Sequence, residues 1–546
     1  MPEYEKGHRK TGVLFFVLLL VMAYLANTAV RYRQHTDIIN SVYHHAAGHV
    51  ILVSNDGYRW LRYGKEIANG TFVSGKDPLS TGTPFPFTPV ISLLIEKAAS
   101  VAGLDMETAS SLLTVFLSGL FVFPLGIFLY LNGMSSAAIG GAVTGGLCMA
   151  YLERTTAFQP DTDMLNLFFP LMIILFIWLA GRGKTLMYSA LAGFFCWLHY
   201  RWYAHAGFAL VWLVMLALYL LIVCKNKKLI LYSIAVFVIF CSPVQLLYAF
   251  KGVFSFLTDS GRSYPADVAE LGIKNFWESM RLITRDGYSA LAGLVIFIIT
   301  IRRTYLLLPL FLLGCLMFFK GQRFGMYLGI FAGIGFGVLF SYVFRRVGRL
   351  GEALSMSAVF LFSLVVSAVY FIPAPYVTKE VFQEFAKLDI PKGADVVTQW
   401  DNGFVLEYLK GVRAAADGTS QFKDGWHMSQ MLLASAKPDR MLLKTIGGGK
   451  DVWLVLTEEV PFKGGSHGYF SSDGLNFTNI EHNSDSGLKL HRNGAYFSVF
   501  NNKTENSIFG KTLIIGSSDI GCFKRIYRNY PFIAVYKAEG GCIIGK

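Results

Sequence analysis

The chain has 546 residues, 53% of them hydrophobic and only 16% charged, with 46 Phe and a mean hydropathy of +0.46. Soluble chains carry about 25% charged residues, so this one cannot cover a folded surface of its size, and a purely soluble enzyme is excluded. Lys and Arg outnumber Asp and Glu by 49 to 36, a net +13. In a membrane protein that excess points to basic cytoplasmic loops and anionic lipid, not to nucleic acid. Cys148, Cys196, Cys224, Cys241 and Cys315 lie in or beside apolar runs, where a small buried hydrophobe is the default reading, and no CxxC or Cys/His zinc spacing occurs.

Apolar runs of bilayer length follow one another from Gly12 to Pro373 and then stop. They predict spans near 12–30, 109–131, 136–152, 164–180, 186–199, 205–223, 229–249, 288–301, 304–319, 324–343 and 353–372, about eleven in all. The first has the long apolar stretch of a span and no small-x-small cleavage site. Lys6, His8, Arg9 and Lys10 place the N-terminus inside. The connections 181–184, 224–228, 301–304 and 344–349 are then cytoplasmic, and all four are basic. Connection 132–135 is neutral, and Arg31 and Arg33 are exceptions on the outer side. This topology puts three segments outside: a first loop at 31–108, a second at 250–287, and everything after 373. The division is therefore a membrane domain over 1–373, including both outer loops, and an extracytoplasmic domain over 374–546. The latter has strand-like runs at 395–398, 452–456 and 532–536 with helical stretches between, and reads as mixed α/β. Cys522 and Cys542 fall in it, where an oxidising compartment permits a disulfide.

Charges at the outer face are the candidates for chemistry. Asp56 in Ser54-Asn-Asp-Gly-Tyr58 opens an amphipathic stretch, and its plainest reading is a helix cap. Pro160-Asp161-Thr-Asp163-Met164 follows Glu153-Arg154-Thr155 and sets two carboxylates at the membrane surface, where burial without partners is costly. A cap needs one Asp; a hard cation needs several oxygens. Asp267-Val-Ala-Glu270 in the second outer loop reads by itself as solvated charge. Arg323 in Gly321-Gln-Arg-Phe324 begins a span from the outer side, against the positive-inside bias, and so either snorkels or holds an anion. Together these residues suggest a divalent metal and a phosphorylated ligand at the outer face. A lipid-linked phosphate or pyrophosphate donor meets that description, because nucleotide sugars are not supplied there.

Taken in order, these motifs resemble those of the PglB-type oligosaccharyltransferases, the single-subunit enzymes of asparagine-linked protein glycosylation. Asn55-Asp56-Gly57-Tyr58 is similar to the family's first acidic motif, and Arg154-Thr155 with Asp161-Thr-Asp163-Met164 to its second. Asp267-Val-Ala-Glu270 resembles the SVxE or TIxE motif, Gly321-Gln-Arg323-Phe324 the pyrophosphate-holding arginine motif, and Gln399-Trp400-Asp401-Asn402-Gly403 the WWDYG signature. The resemblance implies a polytopic helical membrane protein with a C-terminal α/β domain in the periplasm of a bacterial inner membrane, acting as a monomer. It implies Mn²⁺ or Mg²⁺ held by Asp56, Asp161 and Glu270 with Asp163 beside them, and Asp56 and Glu270 acting as catalytic groups on the acceptor amide. The donor, a polyprenyl-pyrophosphate-linked oligosaccharide, would meet Arg154, Arg323 and Tyr200. The acceptor polypeptide, carrying N-x-S/T, would meet Trp400 and Asp401. For the aromatic cluster around Tyr200, an interfacial belt is an equal reading.

The chain departs from the family at several points. Gln399 and Asn402 stand where the signature has Trp and Tyr. No clear MxxI or DxxK pair follows; Lys463 in Thr457-Glu-Glu-Val-Pro-Phe-Lys463 is the candidate lysine, with Val460 in place of the acid. Arg281 lies near the position that selects an acid two residues before the acceptor Asn, and reads equally as an interfacial charge. Two alternatives to this function remain: a related polytopic transferase using a lipid-monophosphate sugar, which would not need the WDNG motif, and a polysaccharide transporter, which would place acids within spans and show repeats.

Overall fold

The computed structural model describes residues 3–80, 84–205, 207–249, 274–347 and 349–418, and beyond these 428–429, 432–433, 435, 437, 439–448, 450–457, 489–493, 496–500, 508, 510–530 and 532–541. Among the described residues, five helices are long and apolar enough to cross a bilayer: Gly12–Ile39, Met106–Leu131, Thr162–Ala180, Gln322–Val347 and Leu350–Ser367. Two bent pairs raise the number to as many as seven, and Gly207–Val223 is a shorter apolar helix. The protein is thus a multi-pass membrane protein. The expected span 229–249 breaks into Lys227–Cys241 and Pro243–Ala249 at an angle of 90°. Pro243 disfavours helix at the residue before it, and Ser242 takes a φ of 78°. The expected spans 288–301 and 304–319 are a helix pair bent by 118°. The expected spans 136–152 and 186–199 are helical as Ser135–Leu147 with Met149–Leu152, and as Thr185–Trp202.

The described chain forms two compact units, Met1–Ile38 with Ser111–Ile372, and Ile39–Ser110 with Pro373–Lys546. The sequence-based division assigned loop 31–108 to the membrane part; by contact, 39–110 goes with the C-terminal segment. The reason is local bonding: Tyr376 N–H donates to Leu52 O at 2.8 Å, His44 Nε2 lies 2.9 Å from Pro373 O, and Ser80 bridges Ala414 in parallel.

In the first unit the closest helix pair is Ser135–Leu147 against Leu328–Phe344. Gly329, Gly333 and Gly337 recur every fourth residue on one helix and face Ala137, Gly140, Gly141, Thr144 and Cys148 of the other. A Cβ on Gly333 would overlap the carbonyl of Gly140, and one on Gly140 the carbonyl of Gly333. Lipid offers no hydrophobic drive between helices, so close backbone approach through small residues supplies the packing.

The second unit is built on a mixed six-stranded sheet, in the order Arg413–Ala414, Asp395–Val397, Val452–Thr457, Ile533–Ala538, Phe523–Asn529, Asp519–Ile520. Asp395–Val397 runs parallel to both its neighbours, and the remaining pairs are antiparallel. Helix Trp400–Lys410 is the crossover between the two parallel strands at one edge. Its first turn, with Trp400 and Asp401, therefore lies just beyond the carboxyl end of a parallel strand, the usual place for ligands on such sheets. Cys522 is disulfide-bonded; Cys542 lies outside the described residues.

The glycine seam predicts that Gly333→Val lowers the thermal stability of the detergent-solubilised protein, by about 1–3 kcal/mol or more, as overpacking does. Gly12, helical and with open space at its Cβ position, is the control site; an unchanged melting temperature in Gly333→Val would contradict the seam.

Candidate functional site

In the first unit the acidic motif is built around Arg154. Its Nε donates to Asp163 Oδ2 at 2.5 Å and its Nη2 lies 3.3 Å from Asp161 Oδ2. Asp163 is held on its other oxygen by Asn166 Nδ2 at 2.7 Å. Asp161 Oδ1 accepts the backbone N–H of Thr162 at 2.6 Å and so caps the turn Thr162–Leu165. Asp161, Asp163 and Arg154 are thus an ordered, nearly buried charge cluster. Burial acts to lower the Arg154 pKa, but Asp163 and Asp161 outweigh it and raise the value, with Arg323 opposing them. Arg323 accordingly lies within electrostatic range of all three. The Gln322–Tyr327 turn that carries it packs on the Met149–Leu152 turn preceding Arg154. Gly325 allows this, since a Cβ there would stand 3.2 Å from Ala150 Cβ.

Two contributors escaped the sequence reading. Arg31, noted only as a topological exception, is buried and donates from Nε to Thr155 O at 2.9 Å and from Nη2 to Thr155 Oγ1 at 2.5 Å and Gly146 O at 3.2 Å. It anchors the residue after Arg154. The signal was available, because Arg31 is an arginine near the end of an apolar span, as Arg323 is. The other is an aromatic, Trp202, whose Nε1–H donates to Thr162 O at 2.7 Å. Tyr203 also senses the cluster: burial pushes its pKa up to about 12, with Asp163 and Asp161 adding and Arg323 opposing. Tyr200 is half-buried, with Tyr248 and Arg201 as its electrostatic neighbours. Arg281 is exposed at the end of the short helix Phe276–Arg281.

In the second unit Asp56 stands in the first turn of helix Asn55–Ala68, with Ser54 at the cap position, so the cap reading does not hold. Asp56 is exposed. Gly418 passes over it: a Cβ at 418 would lie 3.1 Å from Asp56 Oδ1 and 3.5 Å from Asn55 Nδ2. That helix packs along helix Trp400–Lys410. Gly403 of the WDNG motif is required there, since a Cβ would overlap Ala416 O. Asp401 and Asn402 are buried, and Asn402 Nδ2 donates to Thr457 Oγ1 at 3.1 Å. Arg62 locks the two helices together. It donates from Nη1 to Glu66 Oε1 and Asp77 Oδ1, each at 2.9 Å, and from Nη2 to Asp77 Oδ2 at 2.5 Å, while Nε lies 3.3 Å from Glu407 Oε2. Burial acts to raise the Asp77 carboxyl, but Arg62 holds it below the usual carboxylate range; burial pushes Glu407 well above that range despite Arg62.

The structure therefore brings Arg154, Asp161, Asp163 and Arg323 together in one unit, and Asp56 with the Asp401 helix in the other. Glu270 and Lys463 lie outside the described residues, as does the side chain of Trp400. Among the described residues no group of three or more His, Cys, Asp or Glu forms a metal cage. Both carboxylates have each oxygen engaged, Asp163 by Arg154 and Asn166, and Asp161 by Thr162 and, at the longer distance of 3.3 Å, by Arg154. The donor set is all oxygen, which suits a hard divalent cation.

Residues 14–261 match the family model described as oligosaccharyl transferase STT3, N-terminal. No curated protein matches the chain in sequence. Among solved structures it is similar to the oligosaccharyltransferase of Archaeoglobus fulgidus in its apo form, at 13% identity and a TM-score of 0.68, covering 94% of this chain and 80% of that one. It is similar to the same protein tethered to an acceptor peptide containing the NVT sequon, at 14% identity and a TM-score of 0.64, covering 94% and 79%. It is also similar to the complex of that protein with Zn and sulfate, at 14% and 0.60, covering 94% and 79%. At these identities the likeness establishes a shared fold.

Arg62→Met would strand the buried carboxyls of Asp77 and Glu407 and cost about 3–5 kcal/mol of stability at pH 7. Asp77, depressed in the wild type, contributes stability that is present above the ordinary carboxylate range and lost only as pH falls through its lowered value. Without Arg62 its carboxyl rises instead, so the variant should recover part of its deficit between pH 7 and pH 5. Thermal unfolding at both pH values checks this; a deficit that does not change with pH would contradict it.

Proposed function

The chain belongs to the STT3 oligosaccharyltransferase family, and on that premise we propose that it moves a glycan en bloc from a polyprenyl-pyrophosphate carrier to the side-chain amide of Asn in N-x-S/T sequons of exported polypeptides. The observation that carries the reading is the Arg154–Asp161–Asp163 cluster, on the segment 14–261 that the family model covers, with Arg323 from beyond that segment in range and the motifs in the order the resemblance requires.

A bound Mn²⁺ or Mg²⁺ would supply positive charge for the departing pyrophosphate, and Asp161, Asp56 and Glu270 are the residues that would hold it. Asp163 keeps Arg154 aimed, as carboxylates beside a metal site commonly orient their neighbours. Arg154 and Arg323 bind the donor phosphates, Arg having the fork geometry that phosphate oxygens match. Their charge, fixed before the donor arrives, is then in place as the sugar–phosphate bond breaks. Asp56 and Glu270 accept hydrogen bonds from the acceptor amide and localise its nitrogen lone pair for attack on the anomeric carbon. Asp401 and Trp400 take the hydroxyl two residues beyond that Asn. Tyr200 would line the donor path, Arg281 would select an acid before the Asn, and Lys463 would complete the acceptor side. Asp56 at a helix N-terminal turn and Asp401 beyond a parallel strand end support these placements. We place the enzyme in a bacterial inner membrane, N-terminus inside and C-terminal domain in the periplasm, as a monomer. The basic connections at 181–184, 224–228, 301–304 and 344–349 support that orientation.

In vitro transfer from a polyprenyl-pyrophosphate oligosaccharide to Asp-x-Asn-x-Thr and Ala-x-Asn-x-Thr peptides tests the reading. EDTA should abolish transfer and Mn²⁺ restore it. Asp56→Ala should lose on the order of 10²–10⁴ in rate, as loss of a positioned catalytic group does. Asp401→Ala should stop preferring Thr over Ala at the +2 position. Transfer that ignores EDTA, or full activity in Asp56→Ala, would sink the assignment; equal use of both peptides would remove the role of Arg281.

A further inference from the structure

At the opposite end of the first unit's helices from Arg154, the connections that follow the 122–131, 168–180 and 288–300 helices converge with the end of helix Gly207–Val223 on one cavity of about 280 Å³. Asn132, Arg182, Tyr219, Arg303 and Tyr305 give it polar groups, over a floor of Phe128 and Trp178. Three details show a shaped site. The Arg182 guanidinium is fixed over the Trp178 ring at 4.6 Å from its centroid. Tyr219 OH donates to Trp178 O at 3.1 Å, which sets its hydroxyl against the Gly181 backbone. Gly181 has to be glycine, because a Cβ there would stand 2.6 Å from the Tyr219 hydroxyl.

The charge of the cavity is one-sided. It holds two arginines and no acid, and among the described residues neither Arg182 nor Arg303 has a carboxylate within ion-pair distance. A pair of uncompensated guanidiniums beside amide and phenol donors fits an anion with several oxygens, a phosphate above all. The surroundings choose among phosphates. Val223 and Tyr305, which line the cavity, are 41% exposed each, and Leu131 and Ile222 on the same helices are 47% and 74% exposed. A free anion has no use for that apolar rim, whereas an amphiphile covers it with acyl chain.

We propose that this cavity is a binding site for the phosphodiester headgroup of an anionic phospholipid, with Arg182 and Arg303 holding the phosphate and the exposed Leu131, Ile222 and Val223 receiving its chains. The orientation proposed above makes it a lipid of the cytoplasmic leaflet, where anionic headgroups gather at basic pockets between helices. Binding itself does not depend on that orientation or on the transfer reaction.

The test is native mass spectrometry of the full chain released from bilayer discs of phosphatidylglycerol and phosphatidylethanolamine in equal parts. Wild type should retain phosphatidylglycerol in preference to phosphatidylethanolamine. R182A/R303A should lower the retained fraction roughly tenfold or more, since each basic residue near an anionic surface contributes measurably. R345A/R346A removes the same charge from a basic turn outside the cavity and should leave retention unchanged. Equal retention by R182A/R303A, an equal loss in R345A/R346A, or no preference in the wild type would overturn the site. Displacement of the lipid by millimolar inorganic phosphate alone would show a free-anion site and overturn the lipid assignment. The transfer assay in the same samples separates outcomes: failed transfer with intact lipid retention counts against the enzyme reading, and lost retention with intact transfer does not.

Discussion

A charge can be kept beside a bilayer only when other groups of the protein take over the work of water, and the Arg154 cluster of this chain is organised by that constraint. Arg154 is nearly buried with two carboxylates, of which Asp163 is bonded at 2.5 Å and again held by Asn166. Arg31 is buried on backbone and hydroxyl oxygens of Gly146, Thr155 and Asn27. Removing either arginine would leave its partners with the full desolvation penalty. The same cluster that makes the site stable therefore makes it preorganised: its cations cannot relax toward a ligand because they are already fixed.

Fixing those cations requires a rigid frame, and the frame is made of small residues. Gly146 leaves room for Asn27, whose amide reaches Ala142 O at 3.4 Å; a Cβ at 146 would overlap it. Gly329, Gly333 and Gly337 bring the helix that follows Arg323 against the helix that precedes Arg154. Two donor-binding candidates some 170 positions apart in sequence, 154 and 323, are thus aligned by backbone contact and not by large side chains. Backbone contact has little conformational freedom to lose, so the alignment is precise at small entropic cost.

Much of this was legible in the sequence because membrane proteins sort their charges. The long apolar runs, the basic connections and the misplaced Arg323 each follow from local composition, and the family motifs stand in their order without help from tertiary structure. What was not legible depends on partners distant in sequence. The break at Ser242 is announced only by Pro243 inside an otherwise continuous apolar run. Arg31 looked like a topological exception until Thr155 and Gly146 were seen around it. Arg62 carries no sequence signal at all: its partners Asp77 and Glu407 stand 15 and 345 positions further along, and their meeting is what assigns the first outer loop to the C-terminal unit. Helix and strand periodicity says which face of Asn55–Ala68 is buried, but not which helix buries it.

The two departures in the WWDYG-like motif differ in physical character. Asn402 replaces a ring by a short amide, and that amide finds Thr457 Oγ1 at 3.1 Å, so the motif helix gains a tie to the neighbouring strand Val452–Thr457. Gln399 is fully buried at the end of strand Asp395–Val397, and both its amide atoms lack a hydrogen-bond partner among the described residues. Burying an amide unpaired costs about 1–3 kcal/mol, and an amide has both a donor and an acceptor to satisfy where an indole has one donor. The first exchange is therefore compensated inside the fold and the second is not. Of the two, position 399 is the one where a polar group retains hydrogen-bonding capacity that the described residues leave unused.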